Sequence, residues 1–223
     1  MNLNKNKKTV SLSVLKYLSR SMLALSFLII IWSCGNVSSV NDENGGNYLR
    51  MPFVRILLDE TASDVKVGAQ GAFTVECLKD GQQFVFNSSS PVTAEIKNSK
   101  VFLSDSKGSQ IYGGLSEANI IPQGNGNILI LGDKKFRGIM KILPSGKNAQ
   151  VINIVYMEDY LRGVVPPEIG ERTSDEVEAV KAQAVAARTY AMAHLGQYAD
   201  QQYDMKASVV DQVYGGYNTE VEL

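Results

Sequence analysis

At 223 residues, with 44% hydrophobic and 20% charged side chains, the chain is long enough for one large domain or two small ones. Its formal charge of −1 hides a division. Residues 1–33 carry Lys5, Lys7, Lys8, Lys16 and Arg20 and no acid, which leaves 17 basic against 23 acidic side chains in the rest, a net of −6. An acidic body of this kind argues against a phosphate-backbone binder, so nucleic acid is not an expected partner.

The basic start leads into an apolar run, Met22 to Trp32, closing on Ile31-Trp32-Ser33-Cys34-Gly35. The run is short for a permanent membrane helix and has the layout of a secretory signal. A small residue directly before a cysteine resembles a bacterial lipoprotein signal, cleaved before Cys34 with Cys34 then acylated. Trp32 is bulkier than that pattern favours, and an uncleaved signal anchor is the other reading. Either way residues 1–33 are an export signal and the body is expected outside the cytoplasmic membrane, held to it by lipid if Cys34 is modified.

Residues 34–47, rich in Gly, Asn and Ser, read as a flexible tether. From 48 to 140 short β-type runs recur: Phe53 to Leu58, Ala72 to Leu78, Gln83 to Phe86, Val92 to Ile96, Lys100 to Leu103, Ile128 to Leu131 and Phe136 to Leu143. Turn signals such as Lys79-Asp80-Gly81, Asn87 to Pro91 and Gly124 to Asn127 separate them. This predicts a β-rich subdomain. Phe73, Val75 and Cys77 alternate on one strand face, so Cys77 is expected in the core. With Cys34 taken, no internal disulfide and no CxxC metal site can form, and His194, the single histidine, cannot build a zinc cluster. No metal or cofactor is expected, and acid–base chemistry falls to Glu and Asp.

Residues 141–223 predict a strand (Val151 to Tyr156), a short helical turn at Glu158 to Leu161, and a loop stiffened by Pro166 and Pro167 that carries Glu168. A stiff loop ending in a carboxylate suits a fixed proton donor; a solvated loop glutamate is the plain alternative. Thr173-Ser174-Asp175-Glu176 has the form of a capping box, and the following helix is expected to reach about His194 or Leu195, with Gly196 as its stop. Val177, Val180, Ala184, Ala187 and Ala191 share one face, and small residues on the other sides suggest a central helix. Lys181 and Arg188 lie on the same side. Arg188 either makes a structural ion pair or faces an anion or sugar. The strand-like tail from Tyr203 to Tyr217 has aromatics suited to sugar stacking or to core filling. The whole is an α+β fold.

Three segments then carry a resemblance: Glu158-Asp159-Tyr160-Leu161-Arg162-Gly163-Val164-Val165-Pro166 with Glu168, Lys181-Ala182-Gln183-Ala184-Val185-Ala186-Ala187-Arg188-Thr189-Tyr190, and Asp211-Gln212-Val213-Tyr214. In this order they resemble the stage II sporulation protein D family (SpoIID/LytB), over about residues 140–217. The resemblance implies a peptidoglycan lytic transglycosylase cutting the MurNAc–GlcNAc bond of glycan strands, preferably peptide-stripped ones, to leave 1,6-anhydro ends. It makes Glu168 the catalytic acid–base and matches Arg188 to a residue needed for activity. Lys181, Gln183, Tyr190, Gln212 and Tyr214 fall in the matched segments as substrate-binding candidates. Family members that stimulate a cell-wall amidase supply the alternative. Some members carry a Cys/His metal site before the QVY segment, which Lys206, Val210 and Asp211 cannot rebuild here. The family domain continues past the Gly215-Gly216 pair, so the core is expected to be incomplete at Leu223.

Overall fold

The computed structural model describes residues 39–41, 47–49, 52–124, 128–170 and 172–221. The expected export signal, Cys34 and most of the tether lie outside the described residues. Strand β1 (Ser39–Asn41), in the tether, pairs antiparallel with β2 (Asn47–Leu49), which begins at its last residue. Among the described residues no helix is long and apolar enough to cross a membrane.

The body is α+β. Twelve strands follow in order: β3 (Phe53–Asp59), β4 (Asp64–Ala69), β5 (Phe73–Lys79), β6 (Gln82–Ser88), β7 (Val92–Lys97), β8 (Lys100–Ser104), β9 (Gln110–Leu115), β10 (Glu117–Pro122), β11 (Leu129–Leu131), β12 (Lys134–Phe136), β13 (Ile139–Ser145) and β14 (Asn148–Tyr156). Helix α1 (Met157–Ile169), helix α2 (Val177–Ala193) and the short strand β15 (Met205–Lys206) complete it. One sheet runs β15-β3-β14-β13-β10-β5-β6 and the other β12-β11-β4-β7-β8-β9. All pairs are antiparallel except β15 with β3.

The two sheets face each other across one core. Phe73, Val75 and Cys77 are buried on the inner face of β5, as their alternation predicts. Burial pushes the Cys77 thiol up to about 12, so it sits there as a small apolar group. The Asp80-Gly81 turn has both residues at positive φ, the twist-matched geometry that joins β5 to β6 tightly. Strand β14 is buried along most of its length because both its faces are covered. Val151 and Val155 join the inter-sheet core, while Ile152 packs with Leu57, Leu143 and Tyr203 on the outer face.

Three expectations change. The run from Phe136 to Leu143 is two strands, because Gly138, at φ 80°, turns the chain between β12 and β13. A Cβ there would strike the Ile154 carbonyl, so only glycine fits. The boundary expected at 140/141 falls inside β13, and β3 pairs with β14 and β15, so the β half and the helical half share one sheet. Of the strand-like tail, only Met205–Lys206 is strand; the segment 211–215 is irregular and 216–219 is a 3-10 turn.

Candidate functional site

Helix α1 leaves the end of β14 with Glu158 and Asp159 in its first turn, where the helix dipole favours acids. Met157, Tyr160, Leu161, Val164 and Val165 form its buried stripe. Pro166 and Pro167 lie inside this helix rather than in a loop, which corrects the expected stiff loop and the one-turn helix before it. Proline 167 cannot donate to the Gly163 carbonyl four residues back, and that carbonyl would be stranded in a helix relying on its own bonds. Here it accepts the Gly215 N–H at 3.0 Å and the Thr219 hydroxyl at 3.1 Å instead. The chain crosses at that point because Gly163 has no side chain: a Cβ would lie 2.6 Å from the Tyr214 ring.

Glu168 therefore sits in the last turn of α1, exposed, with Oε1 accepting the Val213 backbone N–H at 2.7 Å. Each residue of the segment 211–214 is held by a different part of the fold. Asp211 accepts the Tyr190 hydroxyl at 3.2 Å and the Lys206 N–H at 2.8 Å. Gln212 accepts the Tyr160 hydroxyl at 3.0 Å. Tyr214 donates to Asn153 at 2.9 Å, and Asn153 donates in turn to the Arg137 and Ile139 carbonyls. Burial pushes the phenols of Tyr160 and Tyr214 above the ordinary tyrosine value, which keeps both as neutral donors.

The other candidates divide between core and surface. Gln212 and Tyr214 are buried, so they support the 211–214 segment from within; of the two readings for the tail aromatics, Tyr214 fills core. Tyr190 is half-buried and stacks on His194 at 3.8 Å. Lys181 is exposed and bridges Glu178 at 2.8 Å; Gln183 is half-buried. The expected central helix is also corrected. Among the residues of α2 only Ala187 and Ala191 are buried, and it lies against α1 with its far side, including Val185, exposed. Small residues permit close approach, but they do not supply a neighbour. The capping box does form, with Glu176 accepting from the Thr173 N–H and hydroxyl, and Gly196 turns the chain at φ 81° just past the helix.

Arg188 grips Glu158 with both arms of its guanidinium, Nε to Oε1 at 3.0 Å and Nη2 to Oε2 at 2.7 Å. That bonding raises the arginine above its ordinary value, so it is charged at any pH of interest. The pair lines a groove of about 500 Å³ between α1, α2 and the 216–221 segment. Arg137 does the same with Glu220, at 2.7 and 2.8 Å, on the groove's other side. Arg162, Tyr217, Leu161 and Val165 complete much of the lining. Glu168 is not among the groove's lining residues, so the structure joins Glu168 to segment 211–214 and Arg188 to the groove, rather than the two to each other. The sequence alone gives Arg137, Glu158 and Glu220 no role in a site, and it offers Tyr217 only as one of the tail aromatics. Arg137 and Glu220 lie 83 positions apart, a separation with no periodic signature. Glu158 stands within the first matched segment, where its early-helix position favours an acid whatever its partner.

Among the described residues no three His, Cys, Asp or Glu side chains cluster as metal ligands do. Residues 145–222 match the model of the SpoIID family, described as a stage II sporulation protein. An uncharacterized protein of Brachyspira hyodysenteriae (strain ATCC 49526 / WA1) is 39% identical over 83 residues, which covers 37% of this chain but only 22% of that relative. No solved structure matches the chain. The three segments that meet on α1 all fall inside the matched region, and residues 145–222 belong to the SpoIID family.

Proposed function

We propose that this chain is a peptidoglycan lytic transglycosylase in which Glu168 is the single acid–base group. The observation that carries the reading is the fixed carboxylate: Oε1 is held on the Val213 N–H at 2.7 Å, in a site assembled from all three matched segments. A carboxyl group held by one oxygen keeps the other for a substrate. In its protonated form it gives a proton to the glycosidic oxygen as the C1–O bond of the muramoyl residue breaks and an oxocarbenium-like sugar develops. The C6 hydroxyl of the same sugar then attacks C1, and Glu168, now ionised, takes the hydroxyl proton. One C–O bond breaks, one forms, and no water is consumed. Intramolecular attack makes a second carboxylate unnecessary. Arg188 holds the wall of the adjoining groove through Glu158, where a glycan strand leaving Glu168 can lie. With Cys34 acylated, the enzyme works from a membrane surface outside the cytoplasm.

The second reading is a non-catalytic, glycan-binding enhancer of a cell-wall amidase. One observation favours it: Arg188 is engaged with Glu158 in the groove rather than set beside Glu168. The deciding experiment incubates the chain with purified glycan strands, with and without stem peptides, and looks for 1,6-anhydro-muramoyl ends by mass spectrometry. Anhydro ends from the parent and a fall of roughly 10²–10⁴-fold in Glu168→Gln support the first reading. Strand binding without product, together with faster turnover by an added amidase, supports the second.

A further inference from the structure

We infer that a recess between the start of β14 and the Ala199–Gln201 turn binds a short peptide segment carrying an ammonium group, with Gln150 as amide partner and Asp200 as counter-charge. The inference goes beyond the transglycosylase reading and does not rest on it. The recess shares no lining residue with the groove. Gln150 and the start of α1 stand at opposite ends of β14, about 20 Å apart at the usual rise of a strand.

Gln150 stands directly opposite Leu143 of β13 and two places before Ile152, so all three share the outer face of their sheet. Tyr203 packs on Leu143 and Ile152, and its hydroxyl donates to Gln201 Oε1 at 3.0 Å. That bond, with the Tyr198 ring 4.9 Å from the Tyr203 ring, pins the turn to the sheet. Gln202, at φ 68°, then reverses the chain. Gln150 is left only 9% exposed, yet among the described residues its side chain makes no hydrogen bond. An amide so buried ordinarily has a partner, because an unmet donor and acceptor are costly. Here it lines a recess of about 270 Å³.

The groups around it define the ligand. No Lys, Arg or His lines the recess, so nothing there attracts a phosphate or a carboxylate. Asp200 lines it with no ion pair among the described residues, and one carboxylate is too few for a divalent cation. Gln202 has both ends of its amide to offer, and Gln201 keeps its two N–H donors, since its oxygen is taken. Ser116 gives its proton to the Leu78 carbonyl at 2.9 Å and keeps its lone pairs. Side-chain amides match a peptide group, which also presents one N–H and one C=O. The lone carboxylate selects an ammonium. Leu143 and Pro144 give the aliphatic stem an apolar floor. No aromatic lines the recess, and a neutral sugar would leave the charge on Asp200 unmatched. The volume has room for one peptide group and one side chain.

The test titrates the full chain by calorimetry with the capped peptide acetyl-Ala-Lys-Ala-amide and with its norleucine analogue, which keeps the stem and lacks the ammonium. The lysine peptide is expected to bind roughly tenfold more tightly, the scale of one charge-assisted hydrogen bond. Asp200→Asn should make the two peptides equal. Gln150→Leu should weaken both roughly five- to tenfold and leave the preference in place. Butylamine, an ammonium with no peptide group, should bind at least about tenfold more weakly than the lysine peptide. Because the Gln150 amide has no partner in the fold, Gln150→Leu should keep its urea midpoint at or above the parental value while binding falls. Equal affinity for the two peptides in the parent, or a preference that survives Asp200→Asn, overturns the inference. So does butylamine binding as tightly as the lysine peptide, or chitotetraose displacing that peptide. A lowered midpoint in Gln150→Leu assigns the amide to the fold and overturns it as well.

Discussion

The Glu168 carboxylate accepts the Val213 backbone N–H at 2.7 Å, and this bond ties the end of α1 to a segment 45 positions further along the chain. It belongs to a seam. Gly163 meets Gly215, Tyr160 meets Gln212 and Tyr190 meets Asp211, so α1 and α2 together hold the 211–215 segment through four separate contacts. The seam is short of apolar burial at its outer edge and relies on hydrogen bonds whose partners are fixed by shape.

Gly163 is where shape matters most. Gly163→Ala puts a methyl carbon 2.6 Å from the Tyr214 ring and 3.0 Å from the Gly216 carbonyl. Neither can retreat freely, since Tyr214 is buried between Phe136 and Tyr160. We expect a loss of about 1–3 kcal/mol in urea unfolding, the usual cost of overpacking. Amide exchange at Val213 and Gly215 should speed up. An unchanged midpoint and unchanged exchange would show that the crossing is looser than these distances require.

How far the sequence reveals this seam can be judged from the same residues. The β alternation of Phe73, Val75 and Cys77, the capping box at Thr173 and the stop at Gly196 are local patterns, each readable from a few neighbouring side chains, and each is present. Pro166 and Pro167 mislead because the rule they obey is also local. A proline pair is expected to end a helix, but the Gly163 carbonyl freed by Pro167 is satisfied by Gly215 and Thr219, which lie about fifty positions away. The alanine-rich face of α2 misleads for a related reason, since composition limits what can pack against a helix without stating what does. The Arg137–Glu220 and Arg188–Glu158 pairs are products of chain crossing alone.

The Arg188–Glu158 pair should serve the groove more than the fold. The two side chains are 31% and 43% exposed, so water screens them and the desolvation cost is partial. Arg188→Ala is expected to cost about 0.2–1 kcal/mol. A double-mutant cycle with Glu158→Gln measures the coupling. Arg188→Lys keeps the charge but loses the two-armed geometry, and saccharide affinity should fall with little change in unfolding. A stability loss of about 3–5 kcal/mol with intact binding would mark a buried structural pair and reverse this assignment.

Alkaline pH should weaken the fold through Cys77, Tyr160 and Tyr214. Burial raises all three above their ordinary values, 9.0 for the thiol and 10.0 for the phenols, with Cys77 pushed up to about 12. Folded values above the unfolded ones mean the stabilisation is whole below pH 9 and is lost as pH rises, because the unfolded chain ionises first. Each group adds a slope of about 1.4 kcal/mol per pH unit once its unfolded form titrates. Urea midpoints at pH 8, 10 and 11 read the slope. Tyr214→Phe keeps the ring contacts, should cost about 1–2 kcal/mol at neutral pH by stranding Asn153 Oδ1, and should make the alkaline decline shallower. An equal slope in parent and variant would mean Tyr214 is solvated enough to ionise in place.

Glu168 is expected to have two separable duties, holding Val213 and moving a proton. Glu168→Gln retains a carbonyl oxygen where Oε1 stands, so the Val213 N–H keeps its acceptor while the acid is gone. Glu168→Ala removes both. Amide exchange at Val213 should therefore match the parent in the glutamine variant and run roughly three- to tenfold faster in the alanine variant, the worth of one exposed hydrogen bond. Formation of 1,6-anhydro ends should fall by roughly 10²–10⁴-fold in both, because proton transfer is lost in both. Strand binding should hold in the glutamine variant and weaken in the alanine one, where the 211–214 segment loosens. If the glutamine variant makes product at the parental rate, proton transfer lies with another carboxylate, and Glu168 is a brace for Val213 alone. If both variants lose product and the glutamine one also loses Val213 protection, the bond needs the full charge of the carboxylate, and the two duties cannot be divided at this residue.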